Sequence, residues 1–140
     1  MISYNFETEF KLTNRAKYSK WLSAVIRSEG KKEGEINFIF CDDDYLINLN
    51  QQYLHHDTLT DIITFDYSVG NELHGDVFVS VERVRDNAGD FKVTFEEELK
   101  RVMVHGVLHL CGYKDKSKKD EEQMRVKEDE KIILFHVEQK

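Results

Sequence analysis

The sequence predicts an α+β domain: a mixed four-stranded sheet packed against helices, with one long apolar helix in the C-terminal third. Three observations lead there. Short β-branched and aromatic runs alternate with segments of helical period. Two of those runs lie close together in mid-chain, as in a hairpin. A capped stretch from Thr94 to Cys111 is apolar almost all round and ends at a glycine.

The elements follow in order. Ile2 to Glu7 alternates apolar and polar residues, as a strand does. Asn14 to Ser28 reads as a helix capped by Thr13 or Asn14, with Trp21, Leu22, Val25 and Ile26 on its apolar face. Gly30 and Gly34 bracket a turn, and Glu35 to Cys41 is a strand rich in Ile and Phe. Asp42, Asp43 and Asp44 open a second helix to about Tyr53; acids at a helix start complement its dipole, which competes with a cation site as their explanation. Ile62 to Tyr67 and Asp76 to Ser80 read as strands around a turn at Gly70-Asn71. Ser80 caps a short helix through Asn87. Thr94 with Glu97 three residues on forms a capping box for the long helix, which Gly112 ends. A charged helix covers about Lys118 to Val137.

A chain of 140 residues is the size of one domain, 1–140, and buries enough surface to need no disulfides. Its two cysteines, Cys41 and Cys111, show no framework spacing, so a reduced, cytoplasmic compartment is expected. The N-terminus lacks the basic stretch and apolar core of a signal peptide, and no run approaches the ~18 apolar residues of a membrane span. A net charge of −7 argues against broad electrostatic binding of nucleic acid, while leaving room for a local basic strip.

The chemistry concentrates in the long helix. Val102 to Cys111 holds two strongly polar side chains, His105 and His109, in an apolar surround. A buried polar group without a partner costs on the order of 1–3 kcal/mol. At i and i+4 both imidazoles share one helix face and can bind one ion. Gly112 can turn the chain, and Asp115 lies where it can return a third ligand. The pattern His-x3-His-x2-Gly-x2-Asp copies the extended zincin spacing, with aspartate in the last place. Three protein ligands with an open position suit a catalytic zinc site; nickel, cobalt or manganese also fit such donors. The competing account is a pair of core histidines bonded to carbonyls, with Asp115 solvated. Cys111 lies roughly on the opposite side of the helix and reads as packing. His55, His56 and His136 have no partner pattern and read as surface residues; His74 precedes a strand.

His105-Gly106-Val107-Leu108-His109-Leu110-Cys111-Gly112-Tyr113 resembles the signature of the YbeY endoribonuclease family of bacterial rRNA maturation factors. Leu49 to Tyr53, Asp57, Thr60 to Phe65 and Gly75 to Ser80 resemble further family segments, so the likeness spans about residues 35 to 130. It implies a zinc-dependent endoribonuclease acting on single-stranded RNA, in maturation of the 3′ end of the small-subunit ribosomal RNA and in ribosome quality control. Ribosomal RNA and the small subunit are the implied partners, with no membrane. His105 and His109 carry over as ligands. Where the family usually has Asp-His after Gly-Tyr, this chain has Lys114-Asp115, which makes Asp115 the third ligand position. Leu54 replaces a family arginine associated with RNA cleavage, and Leu59 a proline. Asn50, Thr60, Asp61 and Ser80 are expected to line the substrate site by resemblance, against strand-end capping as their plain role. Lys114 would add positive charge near a phosphate, compensating for the anionic Asp115; in a polar loop it could equally be solvated.

Two other functions compete. A zincin-like metalloprotease needs a glutamate directly after the first histidine, where this chain has Gly106. A metal-stabilised ribosome-assembly or RNA-binding factor would need no turnover.

Overall fold

The computed structural model describes residues 1–54 and 60–137. Strand β1 (Ile2–Phe6) leads through helix α1 (Arg15–Ser28) to β2 (Lys32–Cys41). Helix α2 (Asp43–Leu49) widens into a π-helical turn at Asn50–Leu54. Then come β3 (Ile62–Asp66), β4 (Glu72–Ser80), α3 (Val81–Phe91), α4 (Phe95–Leu110) and α5 (Lys118–Phe135). The sheet order is β1-β2-β4-β3. β1 and β4 flank β2 in parallel, and β3 runs antiparallel to β4. The mixed α+β sheet read from the sequence is the one observed. Parallel neighbours need a crossover, which α1 supplies between β1 and β2.

Burial alternates along β2 and β4, so Ile36, Phe38 and Phe40 share a fully buried face with Val77 and Val79. That face packs with α1 and α4 into the main core. The other face carries Cys41 and Ile63, covered by Leu46 of α2. Two strands begin earlier than their apolar pattern does. β2 starts at Lys32 and β4 at Glu72, because the two pair there, with an irregular register between Glu33 and Ile36. Charged residues and Gly75 hide this extension from any reading of apolar period. Helix α3 runs four residues past Asn87, to Phe91. The helical run begun by α2 changes to π geometry after Leu49 and continues to Leu54, close to the expected end at Tyr53.

The helix starts follow local chemistry. Asp42 accepts from the Tyr45 amide at 2.9 Å and caps α2, so the acid run serves a helix start. Thr94 and Glu97 close the expected capping box of α4. Asn14 precedes α1 in the left-handed region, φ 58°, and gives no side-chain cap. Helix α5 buries Met124, Glu128, Lys131 and Phe135, spaced as one helix face. It is tied to α1 by Trp21, whose ring meets Phe135 edge-on at 5.2 Å and whose Nε1 donates to the Lys131 carbonyl at 2.7 Å.

α4 lies tight against the sheet at Gly106. A Cβ there would stand 2.7 Å from Val77 Cγ1 and 3.0 Å from Ile62 Cδ1. The Gly106→Ala variant should therefore lose stability, by about 1–2 kcal/mol, because overpacking outweighs the ~1 kcal/mol of helix propensity gained. Gly89→Ala in α3 meets nothing within 4 Å and should gain up to about 1 kcal/mol. Urea denaturation of both variants checks this; a Gly106→Ala protein as stable as the parent would show that α4 is free to lift from the sheet.

Candidate metal centre

Three residues converge at the C-terminal end of α4. Val104, Val107 and Leu108 are fully buried, which turns His105 and His109 toward the opposite, partly open face. Cys111 caps the helix, and Gly112 follows at φ 108°. The Gly112 amide donates to the His109 carbonyl at 3.0 Å, and the Tyr113 amide to the Leu108 carbonyl at 3.1 Å. This Schellman closure reverses the chain and sends Asp115 back over the histidines. Asp115 Oδ2 lies 3.1 Å from His105 Nε2 and 3.2 Å from His109 Nε2, and the two Nε2 atoms are 3.0 Å apart.

The outer ring nitrogens show what this triangle is for. His109 Nδ1 lies 3.0 Å from the Tyr113 carbonyl, which can only accept, so Nδ1 carries the proton. His105 Nδ1 lies 2.6 Å from Glu128 Oε2, while Glu128 Oε1 accepts from Arg101 at 2.8 Å. With Nδ1–H on both neutral rings, both Nε2 lone pairs and a carboxylate oxygen face one another. Such a cluster repels itself unless a cation or a shared proton sits inside. A divalent ion with bonds of ~2.0–2.2 Å in tetrahedral array needs donors roughly 3.3–3.6 Å apart. The observed spacings come within a few tenths of that, so the donor set could hold a metal ion.

A cavity of about 850 Å³ opens beside the triangle. Asn50, Thr60 and Asp61, the positions assigned by family resemblance, lie at its wall. Thr60 Oγ1 also donates to the Ile62 carbonyl at 3.2 Å. Ser80 is not at the wall. It is buried, accepts from the Arg83 amide at 3.2 Å and donates to Asp43 Oδ1 at 2.7 Å, so it caps α3. Lys114 also lies elsewhere, in a depression with Glu29 and Asp120; Lys116 lines the site cavity instead. One loop residue, Asp115, separates them, and the reversal at Gly112 decides which one faces inward. His74 pairs with Glu72 at 2.8 Å, away from the triad. His136 is exposed at the end of α5. Cys111 stays outside the ligand group, its thiol pushed by burial up to about 11. His55, His56, Asp57 and Leu59 lie outside the described residues.

The cavity also holds residues that sequence reasoning missed. Glu98, Arg101, Arg125, Glu128 and Phe91 line it. Glu98 and Arg101 precede His105 by seven and four positions, a helical spacing that places them on its face. Burial, reinforced by the charge of Asp61, pushes the Glu98 carboxyl up to about 7. Burial likewise raises Asp61, against the pull of His105. For His105, burial works against charging, but the hydrogen bond and charge of Glu128, with Asp115 and Asp61, more than offset it and raise the imidazole.

Comparison with known proteins identifies the family. The family model "Endoribonuclease YbeY" matches residues 3–136. The chain belongs to the YbeY family. A YbeY relative from Flavobacterium johnsoniae, "Endoribonuclease YbeY", is 70% identical over 139 residues, covering 99% of this chain and all of the relative. Another of that name, from Flavobacterium psychrophilum, is 67% identical and covers 99% of both chains. The solution structure of TM1509 from Thermotoga maritima superimposes with a TM-score of 0.70 at 30% identity, covering 96% of this chain and 89% of that one. The resemblance read from the His105–Tyr113 segment is thereby borne out.

Glu98 generates a pH test. Its folded pKa is raised from 4.5 to about 7, so the stability it contributes is complete below pH 4.5 and lost as pH rises through 7. In metal-free protein, Glu98→Gln should stabilise the fold at pH 8 by on the order of 1–3 kcal/mol relative to its effect at pH 5. Denaturation curves at the two pH values decide it; equal effects would place Glu98 in a solvated setting.

Proposed function

We propose that this YbeY-family chain is a metal-dependent endoribonuclease that cleaves single-stranded RNA. His105, His109 and Asp115 hold one ion, and the observation that carries the reading is their inward-facing donor triangle with both Nδ1 atoms already engaged. Zinc is the ion favoured by two imidazoles and a carboxylate, with nickel, cobalt and manganese as chemical alternatives. When bound, the ion supplies Lewis acidity toward a phosphoryl oxygen and activates water.

The chain's own residues bind and orient the substrate. Asn50 and Thr60 offer polar groups along the cavity wall beside the triangle. Phe91, 59% exposed, stands at the rim as a face on which an unpaired base can stack. Arg125 makes no hydrogen bond or ion pair among the described residues and is available, with Lys116, to phosphate. Arg101 is occupied by Glu128 and Asp129 and serves the site indirectly. The family relationship favours ribosomal RNA, the 3′ end of the small-subunit RNA in particular, with the small subunit as partner and the cytoplasm as location. No helix among the described residues is long and apolar enough to cross a membrane. Residues 1–140 form one such domain in this reading.

The protease reading loses its base on physical grounds. A side chain at position 106 would run into Val77, so the place zincins give to glutamate faces the sheet here and not the cavity.

With a single-stranded RNA substrate, the protein should turn over many times, and His109→Ala or chelation should lower the rate at least ~100-fold. Stoichiometric binding without turnover would favour the assembly-factor reading; peptide hydrolysis would favour the protease. Phe91→Ala should weaken RNA binding by about 1–3 kcal/mol, and Arg125→Ala should reduce the slope of log affinity against log salt by about 0.7. Fluorescence anisotropy at several salt concentrations measures both, and unchanged binding in both variants would move the RNA path away from this rim.

A further inference from the structure

We propose that Glu128 is the positioning residue of the centre: it holds His105 in the one tautomer that leaves Nε2 free for an ion, and so sets how tightly the ion is retained. The proposal rests on the reading of His105, His109 and Asp115 as ligands and adds a residue that is not itself a donor to the ion.

Glu128 is 5% exposed in the middle of α5, a helix with an otherwise heavily charged sequence. A carboxylate buried this far requires partners for both oxygens. It has one for each: Arg101 Nη1 at 2.8 Å on Oε1 and His105 Nδ1 at 2.6 Å on Oε2. Arg101 is fixed in turn by Asp129 Oδ1 at 2.6 Å. The carboxylate is therefore aimed, and among the described residues no other acceptor bonds His105 Nδ1.

The two histidines need different help. His109 is set by a backbone carbonyl, and Tyr113, which supplies it, is anchored when its hydroxyl donates to Glu29 Oε1 at 2.6 Å. Glu29 also pairs with the buried Lys131 at 2.8 Å. Among the described residues His105 has no carbonyl partner. Released from Glu128, it has a ready alternative: a proton on Nε2 could bond Asp115 Oδ2 at 3.1 Å or His109 Nε2 at 3.0 Å. That tautomer satisfies the cluster internally and closes it to a cation. Glu128 suppresses the closed arrangement. Glu128 and Lys131 lie three residues apart on the buried face of α5, so one helix face steadies both ligand rings.

The test uses the full-length protein, first stripped and then titrated with zinc or cobalt(II). Affinity is read by competition with a chromophoric chelator, and geometry by the visible cobalt(II) spectrum. Histidine nitrogen shifts of the metal-free protein, taken where the imidazoles are neutral, report the tautomer. Glu128→Ala should bind zinc about 10–100-fold more weakly, alter the cobalt(II) band and move the His105 proton toward Nε2. Glu128→Gln, which keeps an acceptor without the charge, should lose less. Asp129→Asn, which removes the charge of the exposed pair but keeps an oxygen to accept from Arg101, should weaken binding less than Glu128→Ala. If Glu128→Ala does not fold by circular dichroism, Glu128→Gln decides: a folded Gln variant with weakened binding supports the proposal. Parental affinity, spectrum and tautomer in the folded Glu128 variants would overturn it while leaving the three ligands intact. A parent protein that binds neither ion one-to-one would instead overturn the ligand reading, and this proposal with it.

Discussion

Two imidazoles one turn apart in a buried apolar helix need a partner for every ring nitrogen, and much of the architecture around α4 meets that need. Leaving one such nitrogen bare costs on the order of 1–3 kcal/mol, comparable to a sizeable share of a small domain's net stability. The outer nitrogens are satisfied by Glu128 from α5 and by the Tyr113 carbonyl after the Schellman turn. The inner pair is left facing Asp115. A structural histidine pair would end in such contacts on all sides. Here the inner edge is instead a set of three acceptors with no donor among them, in the tautomers the outer contacts impose.

This division of labour explains why α5 is built as it is. Its buried face reads Met124, Glu128, Lys131, Phe135: two apolar ends that dock the helix and two charges between them. The ends fix its position, with Phe135 against Trp21 and Tyr18. The charges then reach the ligand rings, Glu128 directly and Lys131 through Glu29 and Tyr113. Replacing such buried ions by apolar residues can leave a fold as stable or more so. Their presence here is better explained by what they orient than by what they stabilise.

The same buried charges limited what the sequence could reveal. The capping box at Thr94, the glycine after Cys111 and the spacing of His105, His109 and Asp115 are local patterns, and each has a local cause, so each was legible. α5 was seen as charged because Glu128 and Lys131 interrupt its apolar stripe. Their burial depends on α4 and α1, which no window along the chain contains. The early starts of β2 and β4 were hidden for a related reason, since pairing between Lys32 and Glu72 comes from a neighbouring strand and not from β-propensity. Asn50, Thr60 and Asp61 were placed by family likeness and do reach the cavity, but Ser80 turned inward as a helix cap. Lys114 and Lys116 could not be told apart without the path of the chain after Gly112.

A protein of net charge −7, with Asp61, Glu98, Asp115 and Glu128 around one cavity, is at first sight a poor host for a polyanion. Four features reduce that conflict. Glu98 is held toward its neutral form near pH 7, and the charge of Glu128 is matched by Arg101. Arg125 and Lys116 place cations at the wall of the cavity. Any divalent ion gripped by the triangle adds two further positive charges at the point where the acids are densest. Ion and phosphate would then favour each other's binding, since each reduces the electrostatic cost of the other, and linkage requires that preference to be mutual. An acidic protein can thus select a polyanion at one place while its remaining surface repels the same polymer.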